Sequence, residues 1–416
     1  MAKSEFEVVV VGGGAAGIAA ARRLHDAGVD CVIVEARGRL GGRAWTIDAH
    51  GYPLDLGCGW LHSADRNPWR EIAEAQERTI DRTPPPWSRP SIPAGFAAGD
   101  QEAFVESLRD FWRRAGEFPE VGPDAPATSL LEPGNRWNGL IGAVATFLSG
   151  TEPSEFSARD FSRYDDTGVN WRVVEGYGAV VTAHAMPVPS KLGCAVRAID
   201  HRGKRIMLET SDGTISAKAA IMTLPSNLIA EEAIRFAPAL PEKVEAAAGL
   251  PLGLADKLFL SLKDAEEFEQ DTRLFGRTDR TGTGAYHFRP FGRPMIEGYF
   301  GGSLAQEIED AGDGAFYDFA LGELTSVLGS SFARRVRPIA SHSWQADPYA
   351  RGSYSYARPG KADCRKVLAS PVDARLFFAG EACSEGDYST AHGAFLTGIE
   401  AADQIIAARQ LNRVRL

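Results

Sequence analysis

The chain has 416 residues, 44% hydrophobic and 24% charged, with 55 acidic against 45 basic side chains and a formal net charge of −10. This is globular composition, long enough for two domains with substantial cores; the acidic balance argues against nonspecific nucleic-acid binding and leans towards cationic partners. The five cysteines, Cys31, Cys58, Cys194, Cys364 and Cys383, stand at wide spacings with no Cys-x-x-Cys or Cys/His cluster, which excludes a zinc site and a disulfide framework and suits a reducing, cytoplasmic setting.

Residues 1–7 lack the basic-then-apolar layout of a signal peptide. Every apolar stretch is broken well short of the ~20 residues that span a bilayer, and residues 410–416 carry no anchor helix, so a soluble protein is expected. Val8-Val9-Val10-Val11 is a β-branched run without polar alternation, the pattern of a central parallel strand covered on both faces. Gly12-Gly13-Gly14-Ala15-Ala16-Gly17 follows, then a helical pattern from about Ala15 to Ala27 that stops at Gly28, and a second strand, Cys31-Val32-Ile33-Val34, ending at Glu35. Gly12 permits the tight turn, Gly14 lets a pyrophosphate approach the backbone, and Gly17 lets helix and strand lie close. The helix N-terminus offers free N–H groups to phosphates, and Glu35 is placed to accept from a ribose. The unit therefore binds a dinucleotide.

Thr83-Pro84-Pro85-Pro86-Trp87 and Pro90-Ser91-Ile92-Pro93 read as a stiff loop leaving the first domain. Residues 101–150 read as helices, with Phe104, Leu108, Phe111 and Trp112 at helical spacing as core. From Val196 the pattern is β again: a meander through Ile199, Ile206–Thr210 and Asp212-Gly213 returns to a buried strand at Ala219–Leu224. A mixed sheet with a helix near 316–328 is expected between 250 and 345. In Leu254–Leu262, Leu258, Leu260 and Leu262 share one face, and Lys257, Phe259 and Ser261 the other. The chain closes with a strand at Leu376–Phe378, the turn Ala379-Gly380-Glu381, and a helix from about Ala391 to Arg409.

These motifs, in this order, resemble the flavin-containing amine oxidase superfamily of monoamine oxidases, polyamine oxidases and lysine-specific histone demethylases. Ala36-Arg37-Gly38-Arg39-Leu40-Gly41-Gly42-Arg43 is similar to that family's second phosphate-contacting segment. Asp55-Leu56-Gly57-Cys58-Gly59-Trp60-Leu61-His62 resembles the polyamine-oxidase segment that brings Trp-x-His to the flavin. Trp344–Tyr356 and the stretch from Ala379-Gly380-Glu381 to Tyr388-Ser389-Thr390-Ala391 resemble the later segments. The resemblance implies an α/β protein. A discontinuous, Rossmann-like FAD-binding domain with a parallel sheet and β-meander would span 1–75, 190–245 and 350–416. An α+β substrate-binding domain with a mixed sheet and helices would span 76–189 and 246–349.

It also implies FAD bound by Gly12, Gly14, Ala16, Gly17, Glu35, Ala36, Arg37, Gly42, Arg43, Trp60, Val196, Tyr349, Gly380, Glu381, Thr390 and Ala391, with Glu381 accepting from the ribityl chain. Ser353 stands where monoamine oxidases carry the flavin-linked cysteine, so the FAD is expected to be noncovalent, with Cys364 and Cys383 elsewhere. Tyr354 matches one tyrosine of the aromatic cage and Thr390 replaces the other. Lys257 matches the lysine that holds a water at flavin N5, and His62 the polyamine-oxidase histidine. With these four as catalytic residues, the implied reaction passes hydride from an amine α-carbon to flavin N5 and electrons to O2, giving H2O2 and an imine that hydrolyses. A polyamine-like substrate is preferred. Three alternatives stay open: an L-amino-acid oxidase using Arg172, Arg289 or Arg293 for the carboxylate, a desaturase of large apolar substrates, and a flavin-binding partner without turnover. Metal, membrane and nucleic acid are not expected, and monomer and homodimer are both open.

Overall fold

The computed structural model describes residues 3–414; Met1, Ala2, Arg415 and Leu416, part of the terminal segments read above, lie outside the described residues. Strand β1 (Glu5–Val11), helix α1 (Ala15–Asp26) and strand β2 (Cys31–Val34) form the expected opening unit, with β1 and β2 parallel. The valine run explains β1's central place. Val8 and Val10 enter one apolar cluster with Ile18, Leu24 and Ile405, while Val9 and Val11 enter another with Ile199 and Leu208. Both faces are covered, as a parallel strand requires.

The sheet runs in the order Arg235–Ala237, Val196–Asp200, Ile206–Thr210, Gly213–Met222, β1, β2, Ser190–Lys191. Gly213–Met222 joins the meander to the parallel part. Its first half pairs antiparallel with Ile206–Thr210, and its end runs parallel to both β1 and Leu376–Phe378. The closing helix, Ala391–Val414, places Ala401, Ala402 and Ile405 in the cluster that holds α1. The sheet thus collects three separate stretches of chain, and the division into two discontinuous domains at the boundaries given above is retained as a proposal.

A second sheet has the order Thr272–Phe275, Ala285–Phe288, Met295–Gly301, Ala255–Leu262, Val336–Ser341. Every pair in it is antiparallel, where the sequence led to a mixed sheet. The first three strands follow one another antiparallel, while the helical connection through Gly302–Ala311 and Ala315–Leu328 carries the chain from Met295–Gly301 to Val336–Ser341 on the far side of Ala255–Leu262, which runs antiparallel to both. One face carries Leu258, Leu260, Leu274, Tyr286, Phe288, Ile296 and Phe300 into a core shared with Phe316, Ala320 and Leu324 of the Ala315–Leu328 helix. The opposite face carries Lys257, Tyr299, Glu297, His287 and Arg273, and it fronts a cavity. Helices Asp100–Gly116 and Asn138–Ser149 stand beside that face, with Phe104, Phe111, Leu140 and Ile141 buried together with Phe275. Among the described residues no helix is long and apolar enough to cross a membrane.

Candidate active site

One cavity of about 1060 Å³ runs from the β1–α1 turn to the open face of the second sheet. At the first end the chain leaves β1 through Gly12, whose φ of 106° suits a residue without a Cβ. Helix α1 begins at Gly14 with no side-chain cap, so the N–H groups of its first turn are left to a ligand. Gly14 meets Gly42 backbone to backbone; a Cβ on Gly42 would lie 3.1 Å from the Gly14 Cα. Glu35 is fixed by the N–H groups of Gly13 at 2.7 Å and Arg37 at 2.8 Å. The Arg37 guanidinium pairs with Asp347 at 2.6 Å and lies over the Tyr349 ring. Gly12, Gly14, Ala16, Glu35, Ala36, Arg37, Gly42, Arg43, Val196, Tyr349, Gly380, Glu381, Thr390 and Ala391 all line this continuous space. A long, phosphate-bearing dinucleotide fits such a cradle: donors at the helix end, a carboxylate for a ribose, and guanidinium groups beside it.

At the other end Lys257 is buried on the cavity face of its strand. Its Nζ donates to Glu297 Oε1 at 3.0 Å and to the Asp55 carbonyl at 3.1 Å. Gly59 makes room for it, since a Cβ there would stand 3.1 Å from Nζ. Burial pulls the lysine pKa down, but the Glu297 and Asp55 carboxylates more than compensate and hold it above its ordinary value. Burial pushes Glu297 up, and the Lys257 charge outweighs that, leaving Glu297 below its ordinary value. Next on the same face, the Tyr299 hydroxyl meets the Tyr354 hydroxyl at 3.1 Å, and Tyr354 donates to the Phe147 carbonyl. His62 Nδ1 lies 2.6 Å from Asn170 Oδ1. With that oxygen accepting, Nδ1 carries the proton and Nε2 keeps a lone pair. Burial pushes the His62 pKa down, so the ring is neutral at neutral pH. Trp60 packs edge-on against Trp87 at 4.5 Å and stacks near His287, with the Arg172 guanidinium over its ring.

The family model described as flavin containing amine oxidoreductase matches residues 15–166 and 119–406. The chain belongs to that family. Polyamine oxidase 3 of Oryza sativa subsp. japonica is 30% identical over 98% of this chain and 90% of its own length. Polyamine oxidase 2 of Arabidopsis thaliana is 30% identical over 95% and 87%. Among solved structures, a putrescine oxidase redesigned in its cofactor binding superposes with a TM-score of 0.80 at 18% identity, covering 97% of this chain and all of that one, which is a likeness of fold. The protein is an FAD-dependent amine oxidoreductase.

Within this flavoenzyme several expected residues stand differently from their expectation. Gly17 does not line the cavity; a Cβ on it would lie 1.9 Å from the Gly12 carbonyl oxygen, so its role is the close approach of helix to strand. Glu381 is buried with its carboxylate already engaged by Arg43 at 2.9 Å, Ser355 Oγ at 2.6 Å and the Ser389 N–H at 3.1 Å. It orients Arg43 through Oε1 and lines the cavity, while Ser355 and Ser389 hold Oε2. Thr390 Oγ1 accepts from the Gly393 N–H at 2.9 Å and donates to the Asp387 carbonyl, capping the closing helix. Trp60 lines the same cavity at its chamber end, beside Trp87 and His287. Cys383, expected elsewhere, lines the cavity, as does Cys58; burial pushes both thiols up to about 12, so neither is a thiolate at neutral pH.

The three arginines considered for a carboxylate are otherwise occupied. Arg172 pairs with Asp271 at 2.8 Å, Arg289 donates to the Phe268 carbonyl, and Arg293 to those of Pro53 and Val174. Residues the sequence reading missed also line the chamber: Trp87, Arg273, His287, Glu297 and Tyr299, with Leu108 and Trp112, which were assigned to the core. Alternation within Met295–Gly301 does put Glu297 and Tyr299 on one face, but the partner strand that aims this face at the cavity is not local.

Proposed function

We propose that this amine oxidoreductase removes a hydride from the α-carbon of an aliphatic amine and releases an imine, which water converts to a carbonyl compound and an amine. The flavin, when bound, supplies the hydride acceptor at N5 and passes the electrons to O2, giving H2O2. The observation that carries the reading is one chamber, continuous with the cofactor cradle, that gathers Lys257, Tyr299, Tyr354 and neutral His62. An alkylamine has a pKa of ~10.4 and is mostly charged in water, yet hydride leaves readily only from the neutral form. The aromatic walls disfavour the cation, and the His62 Nε2 lone pair receives an amine N–H or its proton. Lys257 Nζ has three protons and spends two on Glu297 and the Asp55 carbonyl. The third is free to hold a water in the chamber.

The FAD is held noncovalently. Ser353 Oγ is tied between the Ala255 N–H at 2.8 Å and carbonyl at 3.0 Å, and the thiols of Cys58 and Cys383 stay protonated. Polyamines, the class in the relatives' names, have the exposed Asp166 carboxylate on the chamber wall in their favour and the Arg273 guanidinium against them. The test is anaerobic mixing of holoenzyme with spermidine, alkyl monoamines and amino acids while the flavin absorbance is followed. Bleaching by at least one amine supports the reading. No bleaching by any, with photoreduction intact, overturns it.

A further inference from the structure

Arg273 lies on the edge strand of the second sheet, on the face that carries the chamber. Its partner across the ladder is His287, whose own partner is Glu297. Three strand spacings separate its strand from that of Lys257, about 14 Å at ~4.8 Å each. The guanidinium sits over the Phe275 ring at 4.4 Å, and Nε reaches Ser91 Oγ at 3.4 Å. Among the described residues no carboxylate pairs with it and neither terminal nitrogen has a hydrogen-bond partner, yet neither is sealed in the protein. They open on the cavity. Of the other arginines around this space, Arg37 is answered by Asp347, Arg43 by Glu381 and Arg351 by Glu231, and Arg197 is exposed to solvent.

Burial lowers the Arg273 pKa to about 10, with no neighbouring acid to raise it, so it stays charged at neutral pH. The loop before it closes over this end of the chamber: the Ile92 N–H donates to the Arg273 carbonyl at 2.7 Å, and Pro86 and Trp87 line the space. A desolvated cation left without a counter-charge on the protein is satisfied by one arriving from the cavity. A planar guanidinium with two free nitrogens matches a carboxylate bidentately.

We propose that Arg273 forms a subsite for a carboxylate carried by the substrate, several bonds from the carbon that is oxidised. Resting on the amine-oxidation reading, this makes the substrate a long-chain amine with an anionic end, and it replaces the polyamine preference, because a second ammonium would meet a like charge there.

The test compares kcat/KM of the holoenzyme for aminooctanoate and diaminooctane, chains of equal length that differ at one end. The expected ratio favours the carboxylate by tenfold or more. Arg273→Gln lowers that ratio at least tenfold through KM, and Arg273→Glu inverts it. A preference for diaminooctane or spermidine that Arg273→Gln leaves in place overturns the proposal. Octanoate, which carries no amine, is a second probe: it should perturb the flavin spectrum of the wild type and fail to do so in Arg273→Gln. Octanoate binding that survives the substitution also overturns the subsite. If Arg273→Gln does not load flavin, Arg273→Lys, which keeps the charge without the fork, should still weaken aminooctanoate and octanoate, and unchanged values there count against it. If no amine bleaches the flavin while octanoate binding depends on Arg273, the reaction is wrong and the subsite stands.

Discussion

Replacing Glu297 by glutamine leaves the shape of the chamber but takes from Lys257 the larger of its two counter-charges, leaving Asp55. The two charges lie 3.0 Å apart, with side chains only 7% and 13% exposed. At an effective dielectric of ~20, unit charges at that separation attract by about 5 kcal/mol, part of which offsets the desolvation of both groups. Removing one partner of an isolated buried pair costs about 3 kcal/mol or more, and the Asp55 carboxylate left beside Lys257 brings the expected loss below that. Lys257→Met in turn leaves Glu297 with the nearby Arg172 charge. The double variant should therefore be more stable than the sum of the single losses predicts, by about 2 kcal/mol. Unfolding midpoints measured with FAD saturating throughout give the cycle. Additivity within ~0.5 kcal/mol would refute the coupling.

The pH dependence has a definite sign. Lys257's folded pKa is raised, so its contribution is complete below the unfolded value of ~10.4 and is lost as pH rises through the folded one. Glu297's is depressed, so its contribution is complete above ~4.3 and is lost as pH falls through the folded value. The gap between wild type and Glu297→Gln should be flat between about pH 5 and pH 10 and close outside that window.

His62 yields a kinetic counterpart. Its pKa is pushed below the ordinary value by burial, so kcat/KM for an amine should fall only below about pH 6.5; His62→Gln should abolish that acid limb, and a limb that persists assigns it to another group. Gly17→Ala drives a methyl into the Gly12 carbonyl oxygen, a backbone atom that cannot swing aside. Overpacking of this kind costs about 1–3 kcal/mol or more, and the purified variant should carry little FAD; full flavin loading would show that the turn has room. Acid precipitation of the wild type should leave all the yellow colour in the supernatant, and flavin retained in the pellet would contradict noncovalent binding.

What the sequence made legible is local. β1, the Gly12–Gly17 turn, α1 and β2 lie within 35 residues, so the helix-end donors and the ribose carboxylate can be read from one stretch. Lys257 was singled out by the family resemblance, and alternation along a single strand only separates it from Leu258 and Leu260. The rest of the chamber face depends on pairing: Arg273, His287, Glu297 and Tyr299 come from strands whose register no short pattern fixes. Glu381 and Thr390 line the cavity where their motif puts them, but their hydrogen-bond partners, Arg43, Ser355, Ser389 and Gly393, are not read from that motif.

The net charge shows the same limit. At −10 the chain leans towards cationic ligands as a whole, and a polyamine would satisfy that lean. Yet a ligand in the chamber meets the few groups that face it, and each of these must be weighed with its partner. Glu297 is acidic but neutralised by Lys257, and Arg172 is basic but neutralised by Asp271. Once the pairs are set aside, the charges left are Asp166 at the exposed wall and, at the buried far end of the sheet, the guanidinium of Arg273. The selectivity of the chamber therefore follows from pairing, which the fold determines, and the surface charge of the chain governs only how ligands approach it.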